Sequence, residues 1–285
     1  MTALTTTPSE TPVRHLAQLR PASVAYPRAF FALLQRDLHV LLKSFGLFLI
    51  RAIAQPLLLM FVFTFVFPKI GQGVGGGTGS AEFSTTLVAG VIGLAIVFQG
   101  IQAVALPLVQ EFGVSREIED RVLAPLPTKL VGVQKIITGM IQGLIAAAFV
   151  FPIAAIVPAT PVHLHIHWLV LITLAPLAGW VAAALGLVLG TRVKPQNVSY
   201  LFALVVLPLT FLGAIYYPWK TLEPIRWLQI LVLVNPLVYM TEGFRAALTR
   251  GVPHMGLPYV YGALLIFAVV LTWLGVNGFE RRTTT

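Results

Sequence analysis

The chain has 285 residues, of which 57% are hydrophobic and only 10% are charged. A soluble domain would carry about 25% charged residues, so this composition indicates a membrane protein. The formal net charge of +9 does not point to nucleic-acid binding, because the basic residues lie near the ends of apolar runs. The chain has no cysteine, which excludes disulfides, thiolate metal sites and a cysteine nucleophile.

The N-terminal part of the chain is expected to lie outside the membrane core. Residues 1–22 are rich in Thr, Pro and Ser and contain no apolar stretch of the kind that a signal peptide has, so we expect a disordered cytoplasmic tail. Residues 23–45 are predicted to form an amphipathic helix, whose basic and apolar residues separate onto two faces from residue 28 onward. Such a helix is expected to lie in the inner membrane interface, and Asp37, which interrupts its apolar face, is expected to contact protein. The alternative is an ordinary helix on a small cytoplasmic domain.

Residues 46–285 are predicted to form the transmembrane domain, which contains six long apolar runs without an acidic residue. A hydrocarbon core of about 30 Å needs roughly 20 apolar residues as a helix. Strands of a membrane barrel would be shorter and would alternate. The sequence therefore predicts an all-α polytopic membrane protein with six transmembrane helices. The predicted spans are 47–67, 86–109, 131–157, 168–191, 197–217 and 257–277.

The distribution of basic residues predicts the orientation of these spans. Fourteen of the 19 Lys and Arg residues fall on one side of the arrangement. Because Lys and Arg are retained on the cytoplasmic side, both termini are expected to be cytoplasmic. Most tryptophans and tyrosines cluster at the opposite ends of the spans, where amphipathic rings prefer the interface.

The densest group of charges lies between the second and third spans. A solvated loop is the simplest interpretation, but a bare connector needs only about 2–8 residues. Ser115 can cap a short helix along which two i,i+4 ion pairs can form. Such a helix, held between two membrane helices, is well placed to be pushed by a soluble partner. Its residues are Ser115, Arg116, Glu117, Ile118, Glu119, Asp120 and Arg121.

The outer segment 218–256 is predicted to contain two short helices, with a small extracellular cap as the weaker alternative. Asn235 is expected to cap the second helix, with Pro236 in its first turn. Glu242 and Arg245 can form an i,i+3 ion pair on it. We expect these residues to serve architecture and gating more than cargo chemistry, although nearby aromatic surface leaves a cargo-binding role open. The candidate residues are Asn235, Pro236, Tyr239, Glu242 and Arg245.

Other motifs carry little chemistry. His163, His165 and His167 alternate at an outer helix boundary and in an extended chain would share one face. Zinc binding is one interpretation of this pattern, and anchoring at the membrane interface is the other. No Ser-His-Asp arrangement or pair of carboxylates can be placed together, so no catalytic or metal site is predicted.

The sequence offers no energy source of its own. Transporters driven by ion gradients usually hold an ionisable residue within the bilayer. Here the span interiors offer neutral polar groups such as Gln99, Gln102 and Gln142. The glycine-rich stretch 71–79 lacks the lysine of a phosphate-binding loop. If the protein transports a cargo, the energy should come from another subunit that presses on the inner loops.

Four stretches of the chain resemble the membrane subunit of an ABC-2-type exporter. They are QPLLLMFVFTFVF at 55–67, SREIEDRVLAPLP at 115–127, FLGAIYYP at 211–218 and NPLVYMTEGFRAAL at 235–248. The resemblance implies that Ser115–Ala124 is the coupling helix that docks in a cleft of an ABC ATPase subunit. It also implies that 219–249 forms outer re-entrant helices between spans five and six. The likeness is closer to drug- and lipid-export permeases than to glycan-export permeases.

The resemblance further implies a multi-pass protein of the bacterial plasma (inner) membrane that pairs with a second copy or a similar permease. No cofactor is expected on this chain, and ATP and Mg would bind the partner ATPase subunit. Membrane lipids are the other expected partner, and nucleic acid is not. The predicted function is ATP-driven export of an amphipathic, lipid-like or drug-like cargo. The alternatives are export of a lipid-linked glycan, and a polytopic membrane enzyme or assembly factor that transports nothing.

Overall fold

The computed structural model of the protein describes residues 22–71, 79–112, 126–159, 162–197 and 205–284. Across these ranges the regular structure is helical and no strand occurs, which confirms the all-α prediction. The helices are α1 (Ala22–Lys43), α2 (Phe45–Met60), α3 (Gly79–Gln110), α4 (Thr128–Ile156), α5 (Trp168–Arg192), α6 (Leu207–Phe211), α7 (Arg226–Leu231), α8 (Pro236–Leu248) and α9 (Leu257–Thr284).

Five of the six predicted spans are helices long and apolar enough to cross a membrane: α2 with its continuation to Lys69, α3, α4, α5 and α9. The continuation of α2 is a π-helical stretch, Phe61–Val66, followed by a last helical turn. The remaining predicted span, 197–217, is described in part, because residues 198–204 lie outside the described ranges. The bent pair formed by α7 and α8 raises the count to six if it is one span. The chain is therefore a polytopic helical membrane protein.

The N-terminal helix differs in its bounds from the prediction. Residues 1–21 of the predicted tail lie outside the described residues, and α1 begins at Ala22. The predicted end at residue 45 is too late, because Ser44 leaves the helical conformation with φ −108° and ψ 22°. Its hydroxyl donates to the Val40 carbonyl at 3.1 Å, so Ser44 forms the corner between α1 and α2. Helix α1 packs against α4.

The long helix α3 is the centre of the bundle. It packs against α2, α4, α5 and α8. Of its most apolar stretch 83% is buried, compared with 22% for α2 and for α9. Close packing depends on small residues: a Cβ atom added at Gly186 of α5 would lie 2.9 Å from the Ile101 carbonyl oxygen of α3. Gly186 therefore lets two helix backbones approach each other, as small residues do in membrane bundles.

Helices α5 and α9 run parallel, which identifies the two ends of the bundle. Near their starts, the Thr173 and Tyr261 hydroxyls are 2.5 Å apart. At the opposite end, Arg282 Nη1 donates to three carbonyls around the end of α5, those of Gly190, Thr191 and Val193, at 3.0–3.1 Å. We refer to the end that contains Arg282 as the inner end, following the orientation that the basic residues predict.

Candidate functional site

The outer segment contains a sharply bent helix pair. Helix α7 continues as a 3₁₀ turn, Val232–Val234, and the axis then bends by 97° before α8. Asn235 occupies the corner: its Oδ1 accepts a hydrogen bond from Leu237 N at 2.9 Å, and its Nδ2 donates to the Leu209 carbonyl at 2.7 Å. Pro236 is the first residue of α8. Asn235 is thus the N-cap that the sequence predicts, and it also ties the corner to α6.

The ion pair predicted from the i,i+3 spacing is present in α8 and is fully buried. Arg245 Nη1 donates to Glu242 Oε1 at 2.7 Å, and both side chains have 0% exposure. The Glu242 carboxylate also accepts two backbone N–H groups, from Trp219 at 2.7 Å and from Met255 at 2.6 Å. Glu242 therefore connects α8 to the chain before α7 and to the chain before α9.

Arg245 makes the matching connection to the chain that follows α6. Its Nη2 donates to the carbonyls of Ala214 and Ile215. Ala214 has φ of +51°, a left-handed conformation that L-residues seldom adopt. Thr241 adds a third tie, because its hydroxyl donates to the Gly213 carbonyl at 2.9 Å. The guanidinium thus holds a backbone conformation that has an intrinsic cost of roughly 1–3 kcal/mol.

Tyr239 lies one turn before Glu242 in α8 and lines a cavity of about 710 Å³ between the outer segment and α9. Its hydroxyl donates to the Leu233 carbonyl at 3.1 Å, and its ring lies 6.1 Å from the ring of Phe267. Tyr239 therefore combines a structural hydrogen bond with a surface that faces open space. Glu242 and Arg245 have no such surface, because they are completely enclosed.

At the inner end, the predicted coupling helix lies outside the described residues, which stop at Phe112 and resume at Leu126. The structure does describe the helices on either side. Glu111 follows the last residue of α3, and its Oε1 lies 2.7 Å from Lys135 Nζ of α4, with both side chains buried. This ion pair joins the end of α3 to the second turn of α4, and the predicted segment, Ser115–Arg121, lies in the chain between these two helices.

A second polar contact, which is partly buried, ties the N-terminal helix to the same part of α4. Gln134 Nε2 donates to Asp37 Oδ2 and to Thr138 Oγ1, each at 3.0 Å. Asp37 thus contacts protein, as its position on the apolar face of α1 predicts. The sequence did not identify Gln134 as its partner, since a glutamine within an apolar run carries no signal that points to a helix 97 residues away.

The three histidines lie before α5, and the side chains of His163, His165 and His167 are exposed. The backbone N–H of His165 donates to the Leu248 carbonyl at 2.8 Å, and that of His167 to the Ala247 carbonyl at 2.7 Å. The rings of His165 and His167 are 5.0 Å apart. Within the described ranges, no group of three metal-binding side chains is close enough to hold an ion. The contacts therefore give this segment a structural part in holding the end of α8.

These features define a bundle of apolar helices tied together by buried polar contacts at both ends. A family model described as the ABC-2 type transporter matches residues 28–249. The chain is 28% identical over 224 residues to the inner membrane transport permease YadH of Escherichia coli K12, which covers 77% of this chain and 84% of that protein. The YadH permease of Shigella flexneri matches with the same identity and coverage. The chain belongs to the ABC-2 type transporter family.

Proposed function

We propose that this protein is the membrane-spanning permease subunit of an ATP-driven exporter. The observation that carries the proposal is the family match over residues 28–249, which runs from α1 through the bent pair α7–α8. The sequence contains no phosphate-binding loop. ATP and Mg would therefore bind a separate ABC ATPase, and this chain would supply the path through the membrane.

We propose that the ATPase acts on the segment Ser115–Arg121. Support comes from the buried ion pair of Glu111 and Lys135, which joins α3 to α4, the two helices that flank the segment. Because α3 and α4 are tied at this end, a displacement of the segment would move both helices together. Closure of the ATPase on ATP would then be transmitted to the centre of the bundle, where α3 lies, and would drive alternating access.

The cargo is proposed to be amphipathic and the direction outward. The spans offer glutamine amides and few charges, which suits a lipid-like or drug-like molecule with a polar head better than a small ion. The proposed assembly is a dimer of this chain, or of this chain with a similar permease, in a bacterial inner membrane. Both termini are proposed to be cytoplasmic, in line with the basic residues at the inner end.

Reconstitution with a candidate ABC ATPase from the same organism tests this function. We expect the two proteins to purify as a complex and the permease alone to hydrolyse no ATP. In the double variant Glu117→Lys/Asp120→Lys, complex formation should weaken. Both changes are needed, because a single exposed ion pair contributes only about 0.2–1 kcal/mol.

The matched control reverses two carboxylates on the opposite side, Glu82→Lys/Glu223→Lys; both residues are exposed in the structure. This control should insert, fold and bind the ATPase like the wild type. If the inner reversal leaves the complex and its ATP-driven export unchanged, the coupling assignment is wrong. If the permease copurifies with no ABC ATPase and supports no export with any of them, the proposed function is wrong.

A further inference from the structure

We propose that a polar cleft beside the α1–α2 corner binds the phosphate group of an acyl-chain amphiphile from the inner leaflet. The cleft has a volume of about 310 Å³ and lies between the α1–α2 corner, α3 and α4. The polar side chains that the inference uses are Asp37, Arg51, Gln99, Gln102 and Gln142. The inference rests on the proposed function only for the orientation, that is, for the leaflet to which the cleft opens.

The depth of the cleft follows from helix geometry. A helix rises about 1.5 Å per residue, so Arg51 lies about 9 Å from Phe45 at the start of α2. By the same rise, Gln99 lies about 16 Å from Gln110 at the inner end of α3. Since the hydrocarbon core is about 30 Å thick, the cleft extends from the inner boundary to near the middle of the membrane.

Arg51 supplies the positive charge of the cleft. Its side chain is exposed, and within the described ranges no hydrogen bond or ion pair joins it to another residue. A guanidinium at this depth is costly unless an anion or the head-group layer compensates its charge. A phosphate satisfies it best, because the planar donors of Arg match two phosphate oxygens at once. Arg51 is therefore suited to recognise a lipid phosphate.

The glutamines supply neutral hydrogen-bonding groups further in. Gln99 is 7% exposed, and its Nε2 lies 3.5 Å from Gln142 Oε1, at the limit of a hydrogen bond. Each amide offers two donors and an acceptor, so one long contact leaves capacity for the hydroxyl and ester groups of a ligand. Gln102 lines the cleft from the next turn of α3. This arrangement fits the polar part of an amphiphile, whose acyl chains would stay in the lipid.

Asp37 adds a negative charge to the wall of the cleft. Its carboxylate is positioned by the hydrogen bond from Gln134. A zwitterionic phosphate ester is therefore compatible with this cleft, because its ammonium group is not repelled by the carboxylate. The same chemistry describes a bulk membrane lipid and a lipid-like cargo.

The test is binding of lysophosphatidylethanolamine to the purified permease in neutral detergent, with no ATPase present. We expect wild type to bind it at least about tenfold more tightly than monoacylglycerol of the same chain length, because a charged hydrogen bond is worth roughly 1.5–3 kcal/mol. Arg51→Gln should remove this preference, and Arg51→Lys should keep part of it. Lys43→Gln, which changes an exposed charge outside the cleft wall, should bind like the wild type.

A second variant tests the cleft without changing the charge of Arg51. Ala103→Phe places a ring in the cleft and leaves Arg51 intact, so it should also weaken binding. The inference is overturned if Arg51→Gln and Ala103→Phe, both folded, bind the phosphate probe as wild type does. Equal binding of monoacylglycerol and the phosphate probe by wild type overturns it as well.

The reconstituted complex then distinguishes the two sources of the ligand. A cargo should stimulate ATP hydrolysis and move to the outer leaflet, whereas a bulk lipid should bind without either effect. Either outcome keeps the phosphate site in the cleft. If no ABC ATPase binds the permease, the proposed function is overturned. The result on phosphate-lipid binding to the permease alone would still stand.

Discussion

Lys135 of α4 forms a buried ion pair with Glu111 at the end of α3, with 2.7 Å between Nζ and Oε1. Lys135 also shows that the interior of the spans is not wholly neutral, since it lies two turns into α4. Its charge is compensated within the protein and is therefore compatible with a permease that does not rely on an ion gradient.

Removing one partner of this pair should destabilise the protein. Lys135→Met leaves the Glu111 carboxylate buried, and such changes typically cost about 3–5 kcal/mol. Replacing both, as Lys135→Met/Glu111→Leu, should restore part of the loss because no buried charge remains. The measurement is thermal unfolding of the purified protein in detergent.

The chain offers a matched control for this experiment. Lys129 and Glu280 form an ion pair at 3.4 Å with side chains that are 58% and 39% exposed. Lys129→Met should therefore change stability by no more than about 1 kcal/mol. Equal effects of Lys129→Met and Lys135→Met would show that burial of the inner pair does not matter.

Arg245→Ala should lower stability whatever the cargo, because it removes the partner of Glu242 and the donors to Ala214 and Ile215. A loss of about 3–5 kcal/mol is expected for a fully buried pair. The control is Arg250→Ala, at an exposed position two residues beyond the end of α8. It should leave the stability of the protein nearly unchanged. If Arg245→Ala keeps full stability and loses transport of particular cargoes, the residue belongs to the cargo path.

Exchanging the two charges should fail to restore the pair. From the i,i+3 spacing alone, Glu242→Arg/Arg245→Glu would be expected to keep an attraction. In the structure, the exchange would aim an arginine at the N–H groups of Trp219 and Met255 and a carboxylate at two carbonyls. We expect the double variant to unfold at a temperature no higher than that of Arg245→Ala. A clear recovery would show that the backbone contacts contribute little.

The orientation of the bundle can be measured by single-cysteine labelling, since the chain has no cysteine of its own. Arg250→Cys should react with a membrane-impermeant maleimide in intact cells, because it lies at the outer end and is exposed. Asn197→Cys should react only after the cells are opened. Labelling of Asn197→Cys from outside would reverse the predicted topology.

Two glycine-to-alanine changes should have opposite effects on the stability of the protein. At Gly186 the new Cβ would lie 2.9 Å from the Ile101 carbonyl oxygen, which belongs to a helix backbone and cannot rotate away, so we expect a loss of about 1–3 kcal/mol. At Gly262 of α9 the Cβ meets no atom within 4 Å, and the better helix propensity of alanine should raise stability by up to about 1 kcal/mol. Thermal unfolding of both variants measures the difference, and a stabilised Gly186→Ala would contradict the close packing of α3 and α5.

The sequence predicts the features of this fold that depend on local pattern. Apolar length identifies five helices as spans, Asn235 before Pro236 identifies an N-cap, and the spacing of Glu242 and Arg245 identifies an ion pair. Each of these depends on residues that are close in sequence, so composition and helical periodicity are sufficient to find them.

Contacts between distant segments could not be predicted in this way. Glu242 binds the N–H of Met255, and every residue type except proline supplies such a donor, so no side-chain pattern marks the partner. The cleft is a similar case, because Arg51 appears in the sequence as a basic residue at a span border. Arg51 lines one cleft with Gln99 and Gln142 because of how three helices pack. The periodicity within each helix does not determine that packing.

The enclosed position of α3 has a consequence for the synthesis of the protein in the cell. Helices α5 and α8, which cover α3 in the finished bundle, leave the ribosome after it. During that interval α3 must remain in the bilayer with lipid in place of those neighbours. This accounts for α3 being largely apolar, with only a few neutral polar residues such as Gln99 and Gln102, although most of its surface is covered by protein in the finished bundle. A further polar substitution that the completed bundle would tolerate should therefore still reduce the yield of inserted protein.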